Sequence, residues 1–171
     1  MELHTSHYRT LLLALLLTTL TACGFQLRGM ADLPFKSIYV QNSASAIGKS
    51  LTRSLRTSGV EVLPTADGAE MLLELSGETT SKNILSLSGG GKVREYELIY
   101  RVTIRMRQAS ATLWSAPQTI ESRRDYSYDD TQLLAKESEE ARLISDMRND
   151  AAREIMRRLN AQKSAQPSAA N

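Results

Sequence analysis

Few side chains in this 171-residue sequence can do covalent chemistry, and their placement narrows what they could do. The single cysteine, Cys23, stands in Leu20-Thr21-Ala22-Cys23-Gly24, and both histidines, His4 and His7, precede it. From Cys23 onward the chain thus offers no histidine general base, no Ser-His or Cys-His nucleophile pair and no Cys/His metal site. Carboxylates and amines remain. Asp125, Asp129 and Lys136 are the one set an enzyme, for instance a glycosidase or transferase, could draw on. Adjacent aspartates in a turn usually point apart, however, and aspartate is a preferred helix cap, so capping is the favoured reading of Asp129 and Asp130. Ser88-Gly89-Gly90-Gly91-Lys92 is rich in glycine, but Val93 stands where a phosphate-binding P-loop needs Ser or Thr. A strand, not a helix, follows it, so the segment reads as a hairpin tip with Lys92 and Arg94 beside it. No cofactor and no metal are expected.

Cys23 has a different use. Arg9 precedes an apolar run of ten residues, Leu11 to Leu20. That run is too short for a bilayer core needing about 20 residues, but suits the apolar region of a secretory signal. The small-residue site ending in cysteine resembles the lipobox of bacterial lipoproteins. There the cysteine is diacylated through sulfur, becomes the first residue, and is acylated again on its new amine. Each buried methylene contributes roughly 0.8 kcal/mol, so several chains make membrane residence effectively permanent. Gly24, where aspartate commonly retains lipoproteins in the inner membrane, implies the outer membrane. The 149 residues from Cys23 to Asn171 suffice for one domain with a real core, held by packing alone because no disulfide can form. A net charge of +2 gives no argument for nucleic-acid binding.

The elements that must position these groups follow from periodicity. Residues 36–40 (KSIYV) read as a strand. Ile47, Leu51 and Leu55 fall on one face of a helix over about 44–58, with Ser43 as its N-cap and Gly59 as the stopping glycine. Val60 to Leu63 extends briefly. Met71, Leu73 and Leu75 alternate in a strand from Glu70 that runs on toward Leu87. Beyond the glycines, Tyr96, Leu98, Tyr100, Val102, Ile104 and Met106 occupy one parity. Arg101, Arg105 and Arg107 lie on the other, a polar face that is either solvated, as on a lone domain, or turned toward a partner. Pro117 marks a sheet edge or break before a strand over 119–128. Asp129 with Gln132 resembles a capping box for a last helix, in which Leu133, Ala141, Ile144, Met147, Ala151, Ile155 and Leu159 trace one stripe. The order β-α-β-β-β-α predicts an α+β two-layer sandwich, two helices on a four-stranded, mostly antiparallel sheet.

Taken in order, Cys23-Gly24-Phe25-Gln26-Leu27-Arg28-Gly29, the Glu95-Tyr96-Glu97-Leu98 strand, and Arg124-Asp125-Tyr126 followed by Leu134-Ala135-Lys136-Glu137 resemble the LptE (RlpB) family, outer-membrane lipoproteins of lipopolysaccharide assembly. The resemblance implies a non-enzymatic subunit that plugs the lumen of the large LptD β-barrel, assists its assembly and meets lipopolysaccharide. It also implies basic ligand contacts near the hairpin tip and early in the last helix. Lys136 matches the second of these. At the first, Gly89 stands where relatives can carry arginine, leaving Lys92 and Arg94 as the nearest cations for lipid A phosphates. The resulting map is a signal peptide at 1–22, a lipidated Cys23 and tether at 23–34, the α+β domain at 35–160 and a disordered tail at 161–171. The competing expectation is a structural lipoprotein of another envelope machine that makes no lipopolysaccharide contact.

Overall fold

The computed structural model describes residues 33–162; the expected signal peptide, Cys23, most of the expected tether and the residues beyond Gln162 lie outside the described residues. Five strands form one sheet in the order β2-β1-β3-β4-β5. They are β1 (Ser37–Gln41), β2 (Glu61–Leu63), β3 (Met71–Leu87), β4 (Val93–Gln108) and β5 (Gln118–Ser127). Two helices, α1 (Ala46–Thr57) and α2 (Leu133–Ala161), cover one face. The two-layer α+β sandwich is as expected, but the sheet has five strands and is mixed. β2-β1-β3 are parallel neighbours, whereas β3-β4-β5 are antiparallel. The extra strand is the short Val60–Leu63 extension. Three residues are too few to show alternation, and only pairing with Ser37–Tyr39 reveals them as a strand.

Helix α1 forms because Ile47, Leu51 and Leu55 share a face that the sheet buries completely. Its N-cap is Ser45, not Ser43: the Ser45 hydroxyl accepts from the Gly48 N–H at 3.1 Å. Asn42, in the left-handed region at φ 63°, turns the chain beforehand and donates from its side chain to the Leu75 carbonyl at 2.7 Å. At the other end Gly59 has φ 79°, its N–H donates to Arg56, and that of Val60 reaches back to Leu55. This Schellman turn also buries Val60 beside Leu55.

The parity read for β4 holds: Leu98, Tyr100, Val102, Ile104 and Met106 are buried against the helices. That of β3 does not persist along the strand. Met71, Leu73 and Leu75 face the helices, but the register shifts between Ser76 and Thr79. Gly77, at φ 61°, and Glu78 both lie in this bulge. Beyond it Thr80, Lys82 and Ile84 pair with Tyr100, Leu98 and Tyr96, so even-numbered residues now face the helix layer.

The last helix differs from expectation at its start. Asp129 caps a 3-10 turn (Asp130–Gln132) through the N–H and hydroxyl of Thr131. Gln132, the residue before α2, makes no side-chain cap bond, and the capping box does not form. The buried stripe begins only at Met147 and continues through Ala151, Ile155 and Leu159; Leu133 and Ala141 are exposed. The first three turns of α2 run beside the projecting β3–β4 hairpin, beyond the sheet's apolar centre.

Candidate ligand-binding end

The long hairpin brings its tip to the β5–α2 junction. Ser88 donates its N–H to the Lys92 carbonyl, Gly91 donates to Ser88, and Tyr128 donates to Arg94 at 2.7 Å. A hollow of about 440 Å³ opens there, lined by Ser88, Lys92, Val93, Arg94, Tyr128, Asp129 and Asp130. Lys92 and Arg94 are thus brought together. The Lys92 ammonium sits 3.1 Å from Asp130 but is 77% exposed, while Arg94 is exposed and has no ion pair among the described residues. Such an exposed pair contributes at most about 1 kcal/mol, so Lys92 is readily released to a stronger anion.

Lys136 does not line this hollow. Its ammonium donates to Ser127 at 3.1 Å and to Glu139 at 2.9 Å, and its side chain is only 15% exposed. The three candidate cations therefore share one end of the molecule without forming one cluster. Asp129 is held below the usual carboxylate range by the hydrogen bonds from Thr131 and serves as a cap. Among the described residues no group of three His, Cys, Asp or Glu side chains is placed to hold a metal.

Ile84, Leu85 and Leu87 on the hairpin and Leu133 and Leu134 on α2 leave large apolar side chains about half exposed or more. The Ile84-Leu85-Ser86-Leu87 run was a signal, since it breaks the polar alternation an exposed strand should show. Cations beside bared leucines can meet a molecule that is both anionic and oily.

A second cluster was not legible in the sequence. The Lys82 ammonium sits 4.1 Å from the centre of the Tyr96 ring, within 6 Å of Tyr126 and Tyr128, and 2.6 Å from Glu140. The Tyr126 hydroxyl also donates to Glu140 at 2.6 Å. Tyr96 stacks on Tyr126 at 5.8 Å and meets Tyr128 edge-on at 5.1 Å. Only the β3 bulge turns Lys82 toward this box. The cluster clamps hairpin, β5 and α2 together at the base of the tip. Partial burial weakens the Lys82 charge, yet the bonds to Glu140 and Tyr126 outweigh it and raise its pKa above the ordinary lysine value. Partial burial likewise opposes Glu140 ionisation, but the bonds from Lys82 and Tyr126 hold its carboxyl below the usual range.

The signs are opposite. The Lys82 contribution is complete below the ordinary lysine value and is lost only as pH rises through the raised one. That of Glu140 is present above the unfolded carboxyl value, about 4.3, and is lost as pH falls through the depressed folded value. The clamp is therefore expected to stay closed at neutral pH and to open in acid. A near-ultraviolet circular-dichroism titration should show tyrosine signal lost in acid before the core melts, with the transition absent in Lys82→Gln. Identical titrations of the two proteins would remove the clamp.

On the helix-free face, Arg101 pairs with Glu121, Arg105 with Glu74, and Arg123 bridges Glu121 and Glu97. Trp114 lies over Arg105 and Arg107 at 5.6 and 5.5 Å, and Arg107 donates to the Ala111 carbonyl. The arginines read as partner-facing are thus already engaged within the sheet. Among the described residues no helix is long and apolar enough to cross a membrane.

Comparison with known proteins agrees with this architecture. A Nitrosomonas europaea structure titled uncharacterized lipoprotein B is 38% identical, with a TM-score of 0.72, covering 83% of this chain and 94% of that one. Rare lipoprotein B from Shewanella oneidensis is 27% identical, with a TM-score of 0.67, covering 75% of this chain and 97% of its own. The LPS-assembly lipoprotein LptE of Photorhabdus laumondii is 29% identical over 156 residues, 88% of this chain and 84% of that protein. The family model LptE, lipopolysaccharide-assembly, matches residues 35–159, nearly all of the described fold. The chain belongs to the LptE family.

Proposed function

We propose that this protein is the lipid-anchored plug and assembly subunit of the outer-membrane lipopolysaccharide translocon. On this reading it is fixed to the membrane through acylated Cys23, seated in the lumen of an LptD-type β-barrel, and meets lipopolysaccharide at its hairpin end. The observation that carries the ligand assignment is the hollow lined by Lys92 and Arg94, with Asp129 and Asp130, on a hairpin and helix start that also expose Ile84, Leu85, Leu87 and Leu134. Lipid A presents phosphates next to acyl chains, and this end presents cations next to leucines. The barrel assignment draws on the family and on size, since a 149-residue domain has a radius of gyration near 15 Å and large barrels leave a lumen to fill. Lys136 acts from its anchored position on Ser127 and Glu139, its charge near the hollow and its geometry fixed. No catalytic step belongs to this function.

A tag placed after Gln162 tests the partner. Purification from outer membranes in mild detergent should yield a near-stoichiometric large barrel; a lone lipoprotein would favour a structural role in another machine. For the ligand, Lys92→Ala with Arg94→Ala should weaken lipopolysaccharide binding roughly tenfold to hundredfold, because charge-assisted contacts contribute about 1.5–3 kcal/mol each in water-poor sites and less in open ones. Adding Lys136→Ala should weaken it further. Unchanged affinity in the triple variant would refute the ligand assignment while leaving the barrel reading intact.

A further inference from the structure

Most cations on the two broad faces of the sandwich are met by carboxylates of the same chain. On the helix-free face Arg101, Arg105 and Arg123 pair with Glu121, Glu74 and Glu97. Along α2, Arg153 pairs with Asp150, and Arg157 and Arg158 with Glu154. The outer face of α1 differs. Lys49, Arg53 and Arg56, at i, i+4 and i+7, form one exposed stripe. None of the three makes an ion pair among the described residues. Residues 41–60 contain no aspartate or glutamate, so no local rearrangement can supply one. Hollows of about 400 and 480 Å³ flank the stripe, and Arg53 and Thr57 line both. The second reaches Arg153 and Arg157, so the cationic surface continues across both helices.

What this surface can meet follows from what it lacks. Among the described residues α1 exposes no large apolar side chain, whereas the hairpin and the start of α2 do. The stripe therefore offers nothing to an acyl chain. It is also remote from the ligand end. Ile47, at the start of α1, donates its N–H to Glu78, and Ser88 at the tip is ten residues further along the hairpin, roughly 30 Å away. In open water three unpaired cations stay hydrated at little cost, but a partner that covers them must place carboxylates opposite, because an uncompensated buried charge is expensive. The shape of the domain points to that partner. Helix α2 spans 29 residues, about 43 Å, against roughly 10 Å between packed layers, so the domain enters a lumen lengthwise. Its outer helix face then lies against the wall. Barrel interiors are polar, since side chains alternate between lipid and lumen, and such a wall can present acids.

We infer that the Lys49–Arg53–Arg56 stripe docks on aspartate and glutamate side chains of the luminal wall of the barrel. This rests on the plug reading and names the surface and the chemistry that seat the plug; it does not depend on lipopolysaccharide. Each arginine can take both oxygens of one carboxylate through its planar fork, which fixes orientation, while Lys49 supplies a point charge. The arginines of the helix-free face, already paired within the sheet, need no such complement. The seating is one-sided, with the acidic part of the wall opposite the helix layer.

The test treats the tagged complex, purified from outer membranes, with a carbodiimide, which joins an amine to a carboxylate touching it as an amide with no spacer. The Lys49 amine should be joined to an aspartate or glutamate of the barrel, identified by peptide mass. Lys49→Arg should lose that product and keep the barrel, because it retains the charge but not the amine. Lys49→Glu with Arg53→Glu should hold the barrel roughly tenfold or more less well after a wash at physiological ionic strength, with its thermal melt showing a folded domain. Lys36→Glu with Arg142→Glu makes the same change of charge at exposed positions elsewhere and should leave the barrel bound. Lipopolysaccharide binding by the tagged full chain should be the same for the stripe variant and its parent. Absence of the Lys49 product, or equal retention of the barrel by the stripe variant, would overturn the inference. So would an equal loss in the Lys36/Arg142 pair, since net charge would then be the cause, or loss of lipopolysaccharide binding by the stripe variant, since the occupant would then be the ligand. A wild-type chain that brings down no barrel sinks the plug reading itself, and the outcome differs from all of these because it needs no substitution.

Discussion

Gly48→Ala is expected to destabilise the domain by about 3 kcal/mol, although alanine in a helix is ordinarily worth about 1 kcal/mol over glycine. Gly48 lies in the first turn of α1, under the turn that delivers the chain from β1. A β-carbon there would stand 2.6 Å from the Asn42 carbonyl oxygen and 2.7 Å from both the α-carbon and the carbonyl oxygen of Ser43. All three are backbone atoms, so no rotamer change can make room. The turn cannot withdraw cheaply either. Asn42 is tied to Leu75, the Ser45 N–H donates to the Asn42 carbonyl, and the Ser45 hydroxyl holds the Gly48 N–H. Relief would require moving β1 against α1 or giving up the cap. Urea unfolding monitored by far-ultraviolet circular dichroism should show the midpoint falling with an unchanged slope. A neutral or stabilising alanine would mean that the turn repacks freely and that helix propensity governs this position.

Glu78→Ala should cost a similar amount, about 3 kcal/mol, for a different reason. One carboxylate oxygen of Glu78 accepts from the Tyr100 hydroxyl at 3.0 Å and from Arg148 at 3.3 Å. The other accepts from the Ile47 N–H at 3.4 Å. One side chain thus ties β4, α2 and the start of α1 to the β3 bulge. Tyr100 is fully buried, so its hydroxyl would be left without an acceptor, and Arg148 would lose its counter-charge; stranding a buried partner costs about 1–3 kcal/mol for each such group. Burial first, and then the Glu78 charge, push the Tyr100 phenol above the ordinary tyrosine value. A Glu78 substitution should therefore lower the pH at which Tyr100 ionises as well as the melting temperature, the latter by roughly 10 °C for a domain of this size. Glu78→Gln keeps an acceptor for Tyr100 but loses the charge, and should fall between the two. A melting temperature within a degree or so of wild type for Glu78→Ala would show that water replaces the carboxylate without loss.

These two positions also mark where a one-dimensional reading stops. The periodicity of β4 was legible because the strand is straight and regular and one of its faces is covered by helices, so burial writes period two into the residues from Tyr96 to Met106. The same logic made α1 and its Gly59 stop readable, since Ile47, Leu51 and Leu55 face the sheet and only glycine adopts that turn freely. The cationic candidates Lys92, Arg94 and Lys136, and the absence of histidine after His7, needed nothing beyond the chain itself.

Three things were decided in space. β2 is a strand only because β1 supplies its hydrogen bonds, so Glu61–Leu63 alone carry no signal. The Gly77–Glu78 bulge reverses the parity of β3, and with it sends Glu78 and Lys82 toward the helices, where they build the Glu78 tie and the tyrosine clamp. A single inserted residue has no periodic signature, yet it moves every side chain after it to the other face. Finally, the meeting of hairpin tip and helix start depends on how far β3 and β4 outrun the core, which is fixed by packing of residues distant in the chain. Side chains that touch neighbours a few residues away leave their rule in the sequence; those that meet across dozens of residues are placed by the tertiary structure alone.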